Sequence, residues 1–389
     1  MRLERVVPVS LLLLVTACSG GDGGPAGPPP PPPPPPPTPA VLVAISAGDE
    51  HSCGLEPDGV ALCWGNNDHG ELGDGTTVSS SVPVAVAGGH AFVEIGAGDD
   101  HTCARTADGG VFCWGGNAFG MLGDGTTRAR LSPVPVAGDL VFESLTVGRF
   151  HACGLTADGT AWCWGRNQAG QIGDGTPGID RREPVPVAGE LAFSVVDAGQ
   201  THSCGIADDG AARCWGANEF GQLGTGNTIA SPEPVLVAGG NAFAGIRAGW
   251  DHSCAWAADG SGFCWGRNDE GQVGDGTTID RPEPTPVEGG LAFGAIAPGW
   301  SHTCALDIDG AAFCWGSGGK GELGNDAFEN SPLPVAVVGG LTFTAISAGD
   351  DHNCALTPGR AGYCWGQNDE GHVGDGTLTN RARPVRVGG

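Results

Sequence analysis

Seven times along the chain a histidine stands two residues ahead of a cysteine, and a second cysteine follows ten residues later with Trp-Gly behind it. The first set is His51-Ser52-Cys53 and Cys63-Trp64-Gly65, and it returns at His101, His151, His202, His252, His302 and His352. One imidazole and two thiols could hold a metal, but structural zinc takes four tetrahedral ligands and each set offers three. The cysteines could instead pair with each other. Cys53 and Cys63 are symmetric about Asp58, and Pro57-Asp58-Gly59 has the residues of a three-residue hairpin loop. Such a hairpin sets the two cysteines opposite one another, within disulfide reach. The expected bonds join Cys53 to Cys63, Cys103 to Cys113, Cys153 to Cys163, Cys204 to Cys214, Cys254 to Cys264, Cys304 to Cys314 and Cys354 to Cys364. The histidines are then packing residues, and no metal is expected. A ring of seven imidazoles titrating near pH 6.5 as a pH sensor is the minor alternative.

Other chemistry is thinly represented. Segments such as Asn268-Asp269-Glu270-Gly271 and Gly274-Asp275-Gly276-Thr277 carry oxygen ligands but lack the spacing of a calcium loop. They read as turn formers that bond their own backbone, with calcium left open as the lesser possibility. There is no nucleophile elbow, phosphate loop or distinctive Ser/His/Asp set, so the chain is expected not to be an enzyme and to need no cofactor.

The elements that carry these residues follow from the period. Sets recur every 50 or 51 residues, and short apolar runs alternate with Gly/Asp/Asn turns. That pattern predicts an all-β chain in which each repeat is one four-stranded blade of a propeller. In the first repeat strand A is placed at 41–46, B at 51–56, C at 60–65 and D at 82–87. The A–B loop (47–50) and the C–D loop (66–81) then share one face, and the Pro57-Asp58-Gly59 and Gly88-Gly89 turns share the other. The chain ends in Pro384-Val385-Arg386-Val387, a match to strand D, and opens on Val41-Leu42-Val43-Ala44-Ile45, a match to strand A. First and last strands are therefore expected to be successive pieces of one blade, closing a seven-bladed β-propeller over 41–389.

Function is sought where the repeats differ. The two residues before each histidine are Asp49-Glu50, Asp99-Asp100, Arg149-Phe150, Gln200-Thr201, Trp250-Asp251, Trp300-Ser301 and Asp350-Asp351. The C–D loops on the same face add His69, Phe119, Arg166, Phe220, Arg267 and Lys320. Large aromatics in tight loops are characteristic of binding hot spots. Phe150, Trp250 and Trp300 are expected to form an aromatic sector, and Asp49, Glu50, Asp99, Asp100, Asp350 and Asp351 an acidic one; together they are the candidate partner-binding residues.

The repeat string Gly-x-x-His-x-Cys-x-Leu-x-x-Asp-Gly, continued by Cys-Trp-Gly-x-Asn-x-x-Gly-x-Leu-Gly-Asp-Gly-Thr, resembles that of the regulator of chromosome condensation family. The first repeat supplies Gly48, His51, Cys53, Leu55, Asp58, Gly59, Cys63, Trp64, Gly65, Asn67, Gly70, Leu72, Gly73, Asp74, Gly75 and Thr76. The resemblance covers nearly all of 41–389 and implies a seven-bladed propeller. Departures at Thr225, Gly324-Asn325-Asp326, Gly359-Arg360 and Pro177-Gly178 all fall in loops. The family's eukaryotic founder exchanges guanine nucleotide on a small GTPase and docks on chromatin, activities held here only as a remote alternative.

The first forty residues read differently. Residues 1–17 carry Arg2 and Arg5, then the apolar run Leu11-Leu12-Leu13-Leu14-Val15, which is the shape of a signal peptide. Val15-Thr16-Ala17-Cys18 resembles the lipobox of bacterial lipoproteins, and Cys18 is the fifteenth cysteine beside fourteen in the repeats. Residues 18–40 then read as a lipidated Cys18 and a disordered Gly/Pro-rich stalk, whose ten prolines from Pro28 to Pro37 would span about 30 Å as polyproline II. Paired cysteines agree with an oxidising, extracytoplasmic location. The net charge is −26 with a single lysine, Lys320, which argues against a nucleic-acid partner. These features lead to one expectation: a monomeric, non-enzymatic, lipid-anchored propeller on the bacterial cell envelope. Ser19 after the cysteine favours the outer membrane. The propeller would bind an extracytoplasmic protein, or alternatively a glycan or cell wall, through its A–B/C–D face.

Overall fold

A computed structural model describes residues 39–389. The expected signal peptide, Cys18 and the expected stalk up to residue 38 lie outside the described residues. Among the described residues no helix is long and apolar enough to cross a membrane. Within the described residues, twenty-eight strands form seven four-stranded antiparallel sheets, each made of four consecutive strands. Blade one consists of β1 (Ala44–Ala47), β2 (His51–Leu55), β3 (Ala61–Gly65) and β4 (Ser80–Ala85), which are its A, B, C and D strands. Blade seven consists of β25 (Ala345–Ala348), β26 (His352–Leu356), β27 (Gly362–Gly366) and β28 (Arg381–Arg386).

The hairpin register is the one that the spacing requires. His51 pairs with Gly65, Ser52 with Trp64 and Cys53 with Cys63. All seven expected disulfides are present, joining residues ten apart. Strand D starts earlier than the sequence suggests because a bulge between Cys63 and Gly65 lets Gly65 pair with Ser80. The prolines of strand D, such as Pro83, are tolerated because D is the edge strand of its sheet.

Packing between blades, rather than within them, builds the core. Each apolar cluster takes the B–C hairpin of one blade and the Trp of the next. One of them joins Cys53, Leu55, Cys63 and Leu72 to Phe92, Ala104 and Trp114. The seven Trp of the repeat are fully buried. Each donates its indole N–H to a carbonyl in the C–D loop of the preceding blade: Trp114 to Glu71 (2.8 Å), Trp215 to Gln171 (2.9 Å) and Trp64 to His372 (2.7 Å). A Cβ on Gly73 would lie 2.6 Å from the Trp114 indole nitrogen, so the loop approaches the ring that closely only because the residue is glycine.

The repeat histidines are structural as well. His51 Nε2 lies 2.8 Å from the Thr102 hydroxyl in the next blade, and that hydroxyl donates to Glu71 O (2.9 Å). Its lone pair therefore accepts from the imidazole N–H. The same bridge links His151 to Ser203, His202 to Ser253, His252 to Thr303 and His352 to Ser52, and Asn353 plays the part for His302. Blade three has Ala152 at this position, and His101 is left with neither ring nitrogen bonded. Burial holds the pKa values of His51, His151 and His252 down to about 3 and those of His101 and His202 down to about 4. These rings are neutral throughout the physiological range, which removes the pH-sensor alternative for them.

Closure differs from the expectation. No blade combines the first strand with the last ones, because β25 to β28 already complete blade seven. The ring closes by packing instead. Leu42 joins the cluster of Cys354, Leu356, Cys364 and Val387, Leu42 N donates to Arg360 O (2.8 Å), and Val41 bridges to Ala361. Val41 and Leu42, expected in strand A, are drawn onto the neighbouring blade, while Val43 N donates to Leu55 O of its own blade (2.7 Å). In blade two Phe92 stays in its own sheet, opposite Thr106, and its N–H also reaches back to Gly59 O of blade one (2.9 Å).

Candidate functional site: the loop face

Glycines shape the mouth of the central channel. Gly48, Gly98, Gly148, Gly199, Gly249, Gly299 and Gly349 each begin an A–B loop, at the inner edge of a blade. A Cβ on Gly48 would fall 2.4 Å from Gly98 O, and most of the others meet the next blade's carbonyl as closely. This approach allows a circle of hydrogen bonds in which Asp49 N donates to Gly98 O (3.0 Å), Arg149 N to Gly199 O (3.1 Å), Trp250 N to Gly299 O (3.2 Å) and Asp350 N to Gly48 O (3.2 Å). The first of the two variable residues is thereby pinned at the mouth in every blade. Below it lies a channel of about 420 Å³ lined by the A strands. Its polar side chains hold the blades together. Ser46 Oγ accepts Ala97 N (3.1 Å), Asp197 Oδ2 accepts Ala248 N (2.9 Å) and Ser347 Oγ accepts Ala47 N (3.0 Å).

Arg149 is the hub of the mouth. Its Nε lies 3.0 Å from Asp49 Oδ2 and 3.2 Å from Asp99 Oδ2. Its guanidinium carbon sits 3.7 Å from the Trp250 ring centroid and 4.8 Å from that of Phe150. Trp250 and Trp300 pack against each other with centroids 5.2 Å apart and their planes tilted by 40°. Phe150 meets Phe119 edge-on at 5.8 Å, and Arg166 lies 5.0 Å from both rings. Phe150, Trp250 and Trp300 are half-buried. Phe150 and Trp250 thus lie against one cation, with Trp300 behind Trp250, and the same cation pairs with the acidic side. In the sequence Arg149 stands among the variable residues with no role assigned to it. The available signal was that it is the only cation among the seven first positions.

The acidic residues are placed unevenly. Asp49 and Asp351 are buried, Asp99, Asp100 and Asp350 are half-buried, and Glu50 is exposed. Burial, then the neighbouring charge of Asp351, pushes Asp350 up to about 8. Burial, then Asp99, raises Asp49 well above the usual carboxylate range, and the same two causes raise Asp100 and Glu50. Lys320 Nζ donates to Asp351 and to Gln367 Oε1 (2.6 Å), and Asn66 Nδ2 donates to Glu50 (3.1 Å). Further out, His69, Glu71 and Asp100 bring their donor atoms within 4.8 Å of one another. Burial raises Glu71 to about 7. The arrangement offers stacking, apolar contact and cation recognition.

Profiles described as the regulator of chromosome condensation (RCC1) repeat match residues 58–105, 108–155, 158–206, 209–256, 259–306 and 309–356. A second profile of the same description matches seven segments between 42 and 371. The chain belongs to the RCC1 repeat family. No curated protein matches the sequence. Among solved structures the RCC1 propeller resembles human WBSCR16, with a TM-score of 0.76 and 23% identity over 84% of this chain and 93% of that one. It is also similar to Prp20p of Saccharomyces cerevisiae (TM-score 0.74, 21% identity, 86% and 87% covered). The ectodomain of the receptor kinase CR4 from Physcomitrella patens is more distant (0.57, 22%, 84% and 74%). At these identities the likeness establishes the fold. Propellers with RCC1 repeats are typically binding domains rather than catalysts.

Proposed function

We propose that this RCC1-type chain is a non-enzymatic protein-binding propeller displayed on the bacterial cell envelope, held by lipidated Cys18, and that it takes its partner on the A–B/C–D face. One observation carries the reading. The seven repeats differ on this face, and there half-buried Phe150 and Trp250 flank Arg149 while Trp300 packs against Trp250. Aromatic and Arg side chains of this kind are the usual anchors of an interface. Two neighbours are in keeping with it. The structure of yeast Prp20p is described together with its binding to Gsp1p and histones, and the CR4 propeller is part of an ectodomain.

The test is a crosslinking pull-down from intact cells, comparing the parent chain with Trp250→Ala and Trp300→Ala. The expected result is a discrete protein partner captured by the parent and lost from both variants at unchanged unfolding midpoints. Capture that survives both substitutions overturns the site, and retention on purified wall polymers in place of protein would favour glycan recognition.

A further inference from the structure

On the loop face each seam between neighbouring blades repeats three positions. Two lie in the C–D loop of the earlier blade, and the third is the residue just before the histidine of the later blade. Across blades six and seven they hold Lys320, Glu322 and Asp351. Glu322 and Asp351 are buried there, and the chain supplies its own cation, the Lys320 ammonium, which donates to Asp351 and to Gln367 Oε1 (2.6 Å). Across blades one and two the same positions hold His69, Glu71 and Asp100. The carboxylates are in the same places, but an imidazole replaces the ammonium. The residue equivalent to Gln367 is Gly116, where a Cβ would come 2.8 Å from Asp100 Cβ and 3.6 Å from His69 Cβ. Position 116 therefore supplies no side chain that could tie down the group as Gln367 ties Lys320, and the approach to it is from exposed His69.

We propose that His69, Glu71 and Asp100 form a binding site for one divalent transition cation, with a coordination position left open to solvent. Among the described residues this is the one set of three such side chains whose donor atoms converge, within 4.8 Å. At the last seam Glu370, His372 and Glu50 occupy the same positions, but Glu50 turns to the Asn66 amide (3.1 Å). Two carboxylates balance the charge of a divalent ion, and the imidazole nitrogen favours zinc-like ions over calcium or magnesium. Three protein ligands and a free position match zinc sites that accept an outside ligand. Bonds of about 2.0–2.2 Å put tetrahedral ligands about 3.4 Å apart, so the donors must draw together by up to about 1.4 Å. Exposed His69 can swing to do this, while Glu71 is held by the His69 N–H (2.9 Å). The site uses neither the repeat histidines nor the disulfides, and none of its three side chains pairs with Arg149, which takes Asp49 and Asp99.

Zinc titration calorimetry on the untagged full chain carrying Cys18→Ser, which removes the odd thiol, tests the site. The expected result is one Zn²⁺ per chain, with affinity reduced at least tenfold by His69→Ala and by Asp100→Asn. His69→Lys copies the seam of blades six and seven, so it should abolish zinc uptake while the unfolding midpoint stays at or above the parent's. His90→Ala, on the opposite face, should leave uptake unchanged. No uptake by the parent, or uptake undiminished by His69→Ala, overturns the proposal.

Discussion

His101 is the one repeat histidine whose bridging partner is missing, and Ala152→Ser should supply it. In blade four the corresponding Ser203 lies 2.8 Å from His151 Nε2 and donates to Gln171 O at 2.9 Å. Gln171 O also accepts the Trp215 indole N–H at 2.9 Å, so one carbonyl serves both donors. Across the seam of blades two and three Met121 O already accepts Trp164 Nε1 at 2.9 Å and has a lone pair to spare. A serine at 152 can therefore make both bonds with the geometry used elsewhere in the ring. A net hydrogen bond contributes about 0.5–1.5 kcal/mol, and relieving a buried unpaired N–H adds a term of about 1–3 kcal/mol. Fitting an oxygen into a position with no exposed surface offsets part of this, so the expected net gain is about 1–2 kcal/mol. Guanidinium unfolding followed by tryptophan fluorescence reads it directly, and in a domain of this size the melting temperature should rise by about 1–3 °C. Ser203→Ala is the reciprocal change and should cost a similar amount by orphaning His151. A neutral or destabilising Ala152→Ser together with a neutral Ser203→Ala would refute the hydroxyl bridge as a stabilising element.

Three further outcomes follow from the same geometry. Replacing Cys153 and Cys163 together by Ala should cost less than the roughly 3 kcal/mol of the chain-entropy model, because the hairpin already pairs those residues, and a larger loss of unfolding free energy would contradict that. Asp350 has a folded-state pKa of about 8 against 3.8 for the free group, so its contribution to stability is complete below pH 3.8 and is lost as pH rises through 8. Asp350→Asn should accordingly stabilise the protein at pH 9 more than at pH 5, and a gain independent of pH would count against the burial argument. Cys18→Ser should release the protein from membranes into the soluble fraction, and unchanged partitioning would rule out the lipid anchor.

Much of this structure is written in short-range spacing. The interval between Cys53 and Cys63 around Asp58 determines the hairpin register, the disulfide and the face on which each loop emerges, because all three depend on residues within one blade. What depends on two blades is harder to read. The match of the last strand to D and the first to A is equally compatible with a shared blade and with two complete blades. The strand order, in which β25 to β28 make one complete sheet, decides between them, and Leu42 then closes the ring by packing against Leu356 and Val387. Arg149 and Trp250 come from blades three and five, a hundred residues apart, and their stacking requires the closed ring. His69 and Glu71 meet Asp100 across a seam, and nothing local marks the three as neighbours. The burial of Asp49 and Asp351 likewise comes from adjoining blades, so composition alone suggests a more exposed acidic sector than the fold presents.

The claim that the loop face takes the partner is tested most directly by photocrosslinking from chosen positions in living cells. A photoreactive residue in place of Gln200 stands at the channel mouth, and one in place of Asp209 stands on the opposite turn face of the same blade. The account predicts a discrete protein adduct from Gln200 and none from Asp209. Equal adducts from both positions, or an adduct from Asp209 alone, would contradict it.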